Sequence, residues 1–317
     1  MKFTNKAGLP SPLFNALSDD SYQKIGDYSV TELMNPPQIT HLQKRHKDEV
    51  VRDVMDNMWS MFGTAMHEVA AKGATSHSII EEGFLMPILM PTGKTITVGF
   101  HPDHVWKDPE DENYQMIDFK NVSYWSVKYG LKPEWNKQLN LYRYGMGLKG
   151  FKIDKLWLAA LLRDWSYNDC HVKKIRDYPP FPIMNYPIEI WSDEWCLEYL
   201  IERITLHEEA KACRDSKLPQ CSAEDRWERG AGYAVVFKAG LSKGNAVRGG
   251  TKFDTRPEAI AFHDLRTKTR SEKTKPLAED SEVVYRSGEA IRCERYCDAK
   301  NFCHQYAAAN GTKINPF

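Results

Sequence analysis

The chain has 317 residues, 42% hydrophobic and 27% charged, with a formal net charge of +0. That length holds one large domain or two modest ones with ample core. The neutral balance excludes a global basic field aimed at a polyanion, though a local groove can still be basic. The opening "MKFTNKAGLPSPLF" has no apolar run of the signal-peptide kind, and no stretch reaches the length of a membrane span. The expected setting is therefore the cytoplasm, with no membrane partner. There the seven cysteines are expected to be thiols or metal ligands rather than disulfides.

Residues 1–49 read as an N-terminal helical segment. In "SVTELM", Ser29 followed three residues later by Glu32 is a capping-box pattern for a short helix ending near Pro36. Apolar residues then recur at helical spacing over 50–71: Val51, Met55, Met58, Phe62, Met66 and Val69. This helix carries His67 in "GTAMHEVA". The period next changes to that of strands, in "GFLMPILM", "KTITVGF" and "DHVW", punctuated by Pro91, Gly93 and Pro102. "DPEDEN" reads as an acidic turn and "YQMIDFKNV" as a strand. "KPEWNKQLNLYRYGMGL" reads as a helix, "KIDKLWLAALLRDW" as a buried strand, and "SDEWCLEYLIERITLHEEAKAC" as an amphipathic helix. The order predicts an α/β core over 50–220, with a C-terminal cap over 221–317. Within that cap, "GYAVVF", a Gly/Lys-rich turn and "DTRPEAIAFHDL" predict a small ββα-like appendage.

Side chains alternate across a strand, so in "QMIDFKN" Asp118 and Lys120 share one face while Ile117 and Phe119 share the other. Asp103, in "GFHPDH", is the second acid. Two carboxylates brought together by neighbouring strands form a hard-oxygen site for Mg²⁺ or Mn²⁺, and a histidine such as His67 tilts the choice toward Mn²⁺. A lysine on the same face orients and activates water. Gln138 and Tyr142 stand four residues apart, hence on one helix face, and can donate to a phosphate or steady the lysine. Each feature alone is commonplace, and an isolated D-x-K is ordinarily an exposed strand edge. The ordered set H…D…D-x-K…Q-x3-Y is far more specific.

That set resembles the RecB-type branch of the PD-(D/E)XK nuclease superfamily, nearest in pattern to CRISPR-associated and phage-encoded RecB-like exonucleases. The matching residues are His67 in "GTAMHE", Asp103 in "GFHPD", Asp118 and Lys120 in "IDFK", and Gln138 and Tyr142 in "QLNLY". "YSVTELMNPP" is similar to the family's opening segment. The resemblance implies a restriction-endonuclease-like core, a mixed β-sheet flanked by helices. It implies a metal-dependent DNA exonuclease acting on duplex ends or single strands, in prokaryotic or phage DNA recombination, repair or spacer processing. His67, Asp103, Asp118 and the Phe119 carbonyl would hold the ion, Lys120 would serve the attacking water, and Gln138 and Tyr142 would position substrate. In that reading the Asp118–Lys120 pair is one ligand and one water-handling lysine, not a salt bridge. The cytoplasm would be bacterial, or the host's for a phage protein. A homo-oligomer, or recombination or adaptation partner proteins, is compatible. A non-catalytic nucleic-acid-binding protein on the same scaffold is the alternative.

"RCERYCDAKNFCHQY" sets Cys293, Cys297 and Cys303 at C-x3-C-x5-C, with Cys221 far upstream in "LPQCSAEDRW". Four thiolates suit a [4Fe–4S] cluster or a structural Zn²⁺, and spacing alone leaves the two open. The resemblance implies the iron–sulfur cluster, tying the chain end back to the core. The five residues after Cys297 exclude the radical-chemistry spacing C-x3-C-x2-C. Cys170, Cys196 and Cys213 carry no ligand spacing. "MHEVAA" fails as a zinc-protease helix because Ala71 stands where H-E-x-x-H needs histidine, and "KAGLSKGNAVRGG" lacks P-loop spacing. His101 and His104 read as polar groups near a site mouth. In "SYWSVKYGLKPEW", Tyr124, Trp125, Tyr129 and Trp135 are candidates to stack on bases and Lys128 and Lys132 to meet phosphates, with Trp125 and Trp135 as core aromatics the competing reading.

Overall fold

The computed structural model describes residues 2–19, 24–107, 113–239, 242–247, 249–250, 252–268, 281–286 and 288–311. It shows an α/β protein of mixed sheets flanked by helices, which the chain divides into two compact units, Met1–Leu218 and Pro219–Phe317. Most of the expected acidic turn, residues 108–112, lies outside the described residues, as do 240–241 and 248 of the Gly/Lys-rich turn. Among the described residues no helix is long and apolar enough to cross a membrane.

The first unit begins with β1 (Lys2–Thr4), α1 (Ser11–Leu17), β2 (Tyr28–Ser29), α2 (Val30–Met34) and α3 (Pro37–Arg45). Ser29 caps α2 by accepting from the Glu32 N–H at 3.1 Å. Glu32 does not complete the box; its carboxylate pairs instead with Lys24 and Lys44. Residues 1–49 do not stand apart, because β2 joins a sheet with later strands and the buried Val30 and Leu33 belong to the main core.

The helix expected over 50–71 starts only at Met58. Before it, β3 (Val51–Asp53) pairs in parallel with β1, and Asp53 and Asp56 form a capping box around a 3₁₀ turn, Val54–Asn57. These local bonds end the strand and redirect the chain before the helical period can take hold. Then comes α4 (Met58–Ala71), in which no residue is buried, so its apolar stripe is not the core face that the spacing suggests.

Next in order are β4 (Ser78–Ile80), β5 (Phe84–Leu89), β6 (Thr95–Phe100), β7 (His104–Lys107), β8 (Tyr114–Val122), α5 (Pro133–Leu148), β9 (Ile153–Leu162), β10 (Ile183–Ile188) and α6 (Asp193–Ala212). One sheet runs β10-β9-β8-β7-β4, antiparallel except for the parallel β8–β9 pair; a second runs β2-β6-β5. Parallel neighbours need a crossover, which α5 supplies between β8 and β9. The core gathers Met86, Phe100, Met116, Leu139, Leu141, Met146, Leu156 and Leu158. Each such side chain contributes up to roughly 1.5–3 kcal/mol by leaving water. Gly145 of α5 is needed for this packing, because a Cβ there would lie 2.6 Å from the Phe100 ring.

The second unit holds β11 (Glu228–Arg229), β12 (Gly232–Phe237), α7 (Arg256–Lys268), β13 (Ser281–Arg286), β14 (Glu289–Ala290), α8 (Ile291–Arg295) and α9 (His304–Asn310). The appendage is not ββα. Strand β13, which follows α7, pairs antiparallel with β12, while Ala246 and Phe253 make only isolated bridges to it. Val235, Val247, Phe253, Phe262 and Val283 form its small core. The two-residue ladder β11–β14 closes the neck of this insertion, helped by the Arg292 N–H donating to Arg226 O at 3.0 Å.

Candidate functional site

Strand β8 fixes the centre of the first unit's site. Met116 on its inward face is in the core, and alternation carries Asp118 to the same side, where it is only 2% exposed. Lys120 follows on that face opposite the small Ala160 of β9, and its Nζ lies 2.9 Å from Asp118 Oδ1 and 2.8 Å from Oδ2. The pair therefore is an ion pair in this structure, contrary to the expectation. Gln138 Oε1 accepts from Lys120 Nζ at 3.2 Å, and Gln138 Nε2 donates to the Tyr142 hydroxyl at 3.1 Å. Tyr142 is buried with its ring 5.6 Å from that of Phe100. The helix pair thus braces the lysine through Gln138, with Tyr142 buried behind it.

Asp103 sits just before β7 and accepts the Phe119 N–H at 2.8 Å, which binds the first acid to the strand carrying the second. His67, from α4, brings Nε2 to 3.4 Å from Asp103 Oδ2 and 3.5 Å from Phe119 O. Its other nitrogen, Nδ1, is 2.7 Å from Glu81 Oε1. Among the described residues, His67, Glu81 and Asp103 place ligand atoms within 4.8 Å of one another. The structure thus brings together His67, Asp103, Asp118, Phe119, Lys120 and Gln138, and adds Glu81, which no motif announces. Glu81 lies between β4 and β5 with φ +50, a left-handed conformation costing a non-glycine residue about 1 kcal/mol, with its N–H held by Pro102 O at 3.1 Å. Of the flanking histidines, His104 turns to Ser78 Oγ at 3.0 Å instead of toward the carboxylates.

Burial and the neighbouring Asp118 carboxylate push Asp103 up to about 7, and burial also raises Asp118 against the pull of Lys120. The Glu81 hydrogen bond, with Asp103 adding to it, pushes His67 up to about 9. Although close to Lys120, Asp118 Oδ2 is buried and accepts no well-directed hydrogen bond among the described residues. Two mutually repelling carboxylates, one of them ion-paired with Lys120, and an oriented imidazole are a donor set that fits a divalent cation.

In the second unit, Cys221 and Cys303 are buried and Cys293 and Cys297 half-buried. Cys303 caps α9, its Sγ accepting from the Tyr306 N–H at 3.4 Å. Gln305 of the same helix clasps Cys221 through both backbone groups, each at 2.9 Å. Burial pushes the Cys221 thiol up to about 12 and Cys297 to about 11, with the other thiols of the set adding repulsion. Four thiols gathered in one unit, Cys221 and Cys297 among them held protonated mainly by burial, are a donor set that a metal centre would complete. No three of the sulfurs gather within 4.8 Å. Cys196 is fully buried in the first unit's core, a packing residue. Of the aromatics after β8, Tyr124 and Trp135 are buried while Trp125 and Tyr129 are exposed.

No family model matches the chain, and no curated protein matches it. A solved structure titled "Crystal structure of SSO0001" is similar to it, at 18% identity and a TM-score of 0.45 over 61% of this chain and 84% of that one.

Proposed function

We propose that the chain is a divalent-metal-dependent deoxyribonuclease of the RecB-like PD-(D/E)XK type, working in the cytoplasm as an exonuclease on DNA ends or single strands. The observation that carries this reading is Lys120, held between Asp118 and Gln138 beside a second, half-buried carboxylate and an oriented histidine. Asp103, Asp118, His67 and the Phe119 carbonyl would hold Mg²⁺ or Mn²⁺, which would supply charge to stabilise a phosphate and acidify water. The chain's own groups do the positioning. Asp103 is pinned by a backbone N–H, His67 is turned by Glu81, and the Gln138–Tyr142 pair keeps the Lys120 ammonium aimed at the attacking water. Hydrolysis of a phosphodiester needs no electron transfer, so the cysteine set is structural in this reading. The resemblance favours a [4Fe–4S] cluster on Cys221, Cys293, Cys297 and Cys303, with a structural Zn²⁺ as the alternative.

The test is digestion of end-labelled single- and double-stranded DNA with Mg²⁺ or Mn²⁺ by the purified protein and by Lys120→Ala. The variant is expected to lose cleavage by about 10³-fold while keeping its melting temperature and metal content. Wild-type rates in the variant would overturn the assignment of Lys120, whereas DNA binding without cleavage by the unaltered protein would leave a non-catalytic nucleic-acid-binding protein as the better reading.

A further inference from the structure

Helix α4 carries His67, yet none of its 14 residues is buried. Trp59 and Phe62 are each 47% exposed, with ring centroids 5.9 Å apart. The Arg163 guanidinium lies over the Trp59 ring at 4.0 Å. The backbone N–H of Arg163 donates to Val122 O at 3.0 Å, two residues beyond Lys120 on β8. The next residue, Asp164, accepts the Tyr124 N–H at 2.6 Å and so ties down the turn after β8. That turn presents Trp125, 62% exposed, and Tyr129, 84% exposed, with Lys128 Nζ 4.5 Å and 5.4 Å from their ring centres. Two exposed aromatic pairs, each with a cation over a ring, therefore flank the strand end nearest Lys120.

Among the described residues neither Arg163 nor Lys128 is paired with a carboxylate. An apolar protein surface docking here would bury both charges uncompensated, at a prohibitive cost. An unpaired nucleic-acid strand satisfies all the groups, because its bases offer flat faces to the rings and its phosphates meet the cations. Duplex bases are already stacked on each other and withhold those faces. Trp59 precedes His67 by eight residues, about 12 Å along the helix, so a strand lying on α4 runs toward the carboxylates.

We infer that the exposed face of α4 and the turn after β8 form a base-stacking platform that receives a single strand and leads it to Lys120. The inference rests on the nuclease reading for its direction, and its binding test does not depend on cleavage. In EDTA, a dye-labelled oligodeoxythymidylate and a blunt duplex are titrated with the full chain by fluorescence anisotropy. The double variant Trp59→Ala/Trp125→Ala is expected to bind the oligonucleotide roughly tenfold or more weakly, with duplex affinity unchanged. Trp59→Phe/Trp125→Phe, which keeps the rings, is expected to restore most of the binding. Equal oligonucleotide affinity for wild type and the alanine variant overturns the platform, as does an equal loss on duplex. If the alanine variant loses the oligonucleotide while the unaltered chain cleaves no DNA with Mg²⁺ or Mn²⁺, the nuclease reading fails and the platform stands.

Discussion

The carboxylate–lysine site of the first unit is mounted on long regular elements, whereas the four thiols of the second sit at turns and helix ends. Asp118 and Lys120 ride on a nine-residue strand, Gln138 on a 16-residue helix and His67 on a 14-residue one. Cys293 lies in the five-residue α8, Cys303 is the cap of α9, and Cys221 is fixed chiefly by the Gln305 clasp. Within the first site nearly every charged group has a protein partner in place before any ion arrives. Within the second, burial chiefly holds Cys221 and Cys297 in the thiol form, with neighbouring thiols adding to it. In the proposed reading, the difference teaches which site would shape its ion and which site its ion would shape. A centre that must also admit water and a phosphate is pre-organised by the fold, while a structural centre leaves much of the organising to the metal.

The most severe way to break this contrast is Cys293→Ala. It is expected to remove the bound metal and with it stabilisation on the order of 10 kcal/mol. The second unit should lose its cooperative transition and solubility should fall, while the first unit still melts; metal analysis and calorimetry check this. Unchanged metal content would mean that the thiols are packing residues.

Glu81→Gln is gentler. Divalent-ion affinity, measured by calorimetric titration, is expected to fall about 10- to 100-fold without loss of fold. In the ion-free chain, an NMR titration should move His67 from about 9 back toward its ordinary value, since the first cause of its elevation is the Glu81 bond. An unchanged ion affinity would make Glu81 a bystander.

The mildest effect concerns acid. Burial, and then Arg203, depresses His207 of α6 to about 4, from an ordinary value of 6.5. Between those values the unfolded chain takes up a proton that the folded chain refuses, so stability is present above about 6.5 and falls as pH drops toward 4. His41, also depressed by burial, acts in the same direction. Urea midpoints of wild type and His207→Gln at neutral and acidic pH should show a shallower pH dependence in the variant. Parallel slopes would remove His207 from the explanation.

Much of this was legible in the sequence because it obeys a period. Strands β5 to β9, helices α5 and α6, and the shared face of Asp118 and Lys120 follow from alternation and helical spacing. What escaped does not. Glu81 acts through a left-handed backbone in a connection, where no spacing marks it. Strand β10 carries Pro187 and lies at the sheet edge, which disguises it as a loop. The stripe on α4 repeats like a core face, but sequence periodicity reports which residues share a side and not what covers that side. The appendage misled because antiparallel pairing across an intervening helix joins residues far apart in the chain, β12 with β13, and leaves no local trace.

The β11–β14 ladder has one more consequence. It brings residues 229 and 289 side by side, so the described elements between them, β12, α7 and β13, hang from a single doorway within the second unit. Chain length between such anchors is nearly free to drift, since loop closure costs grow only with the logarithm of length. The doorway is therefore a natural graft point: exchanging the whole insertion for a tight hairpin turn should leave the Gln305 clasp and the cysteine set undisturbed. Evolution can have tried many occupants there without ever touching the thiols.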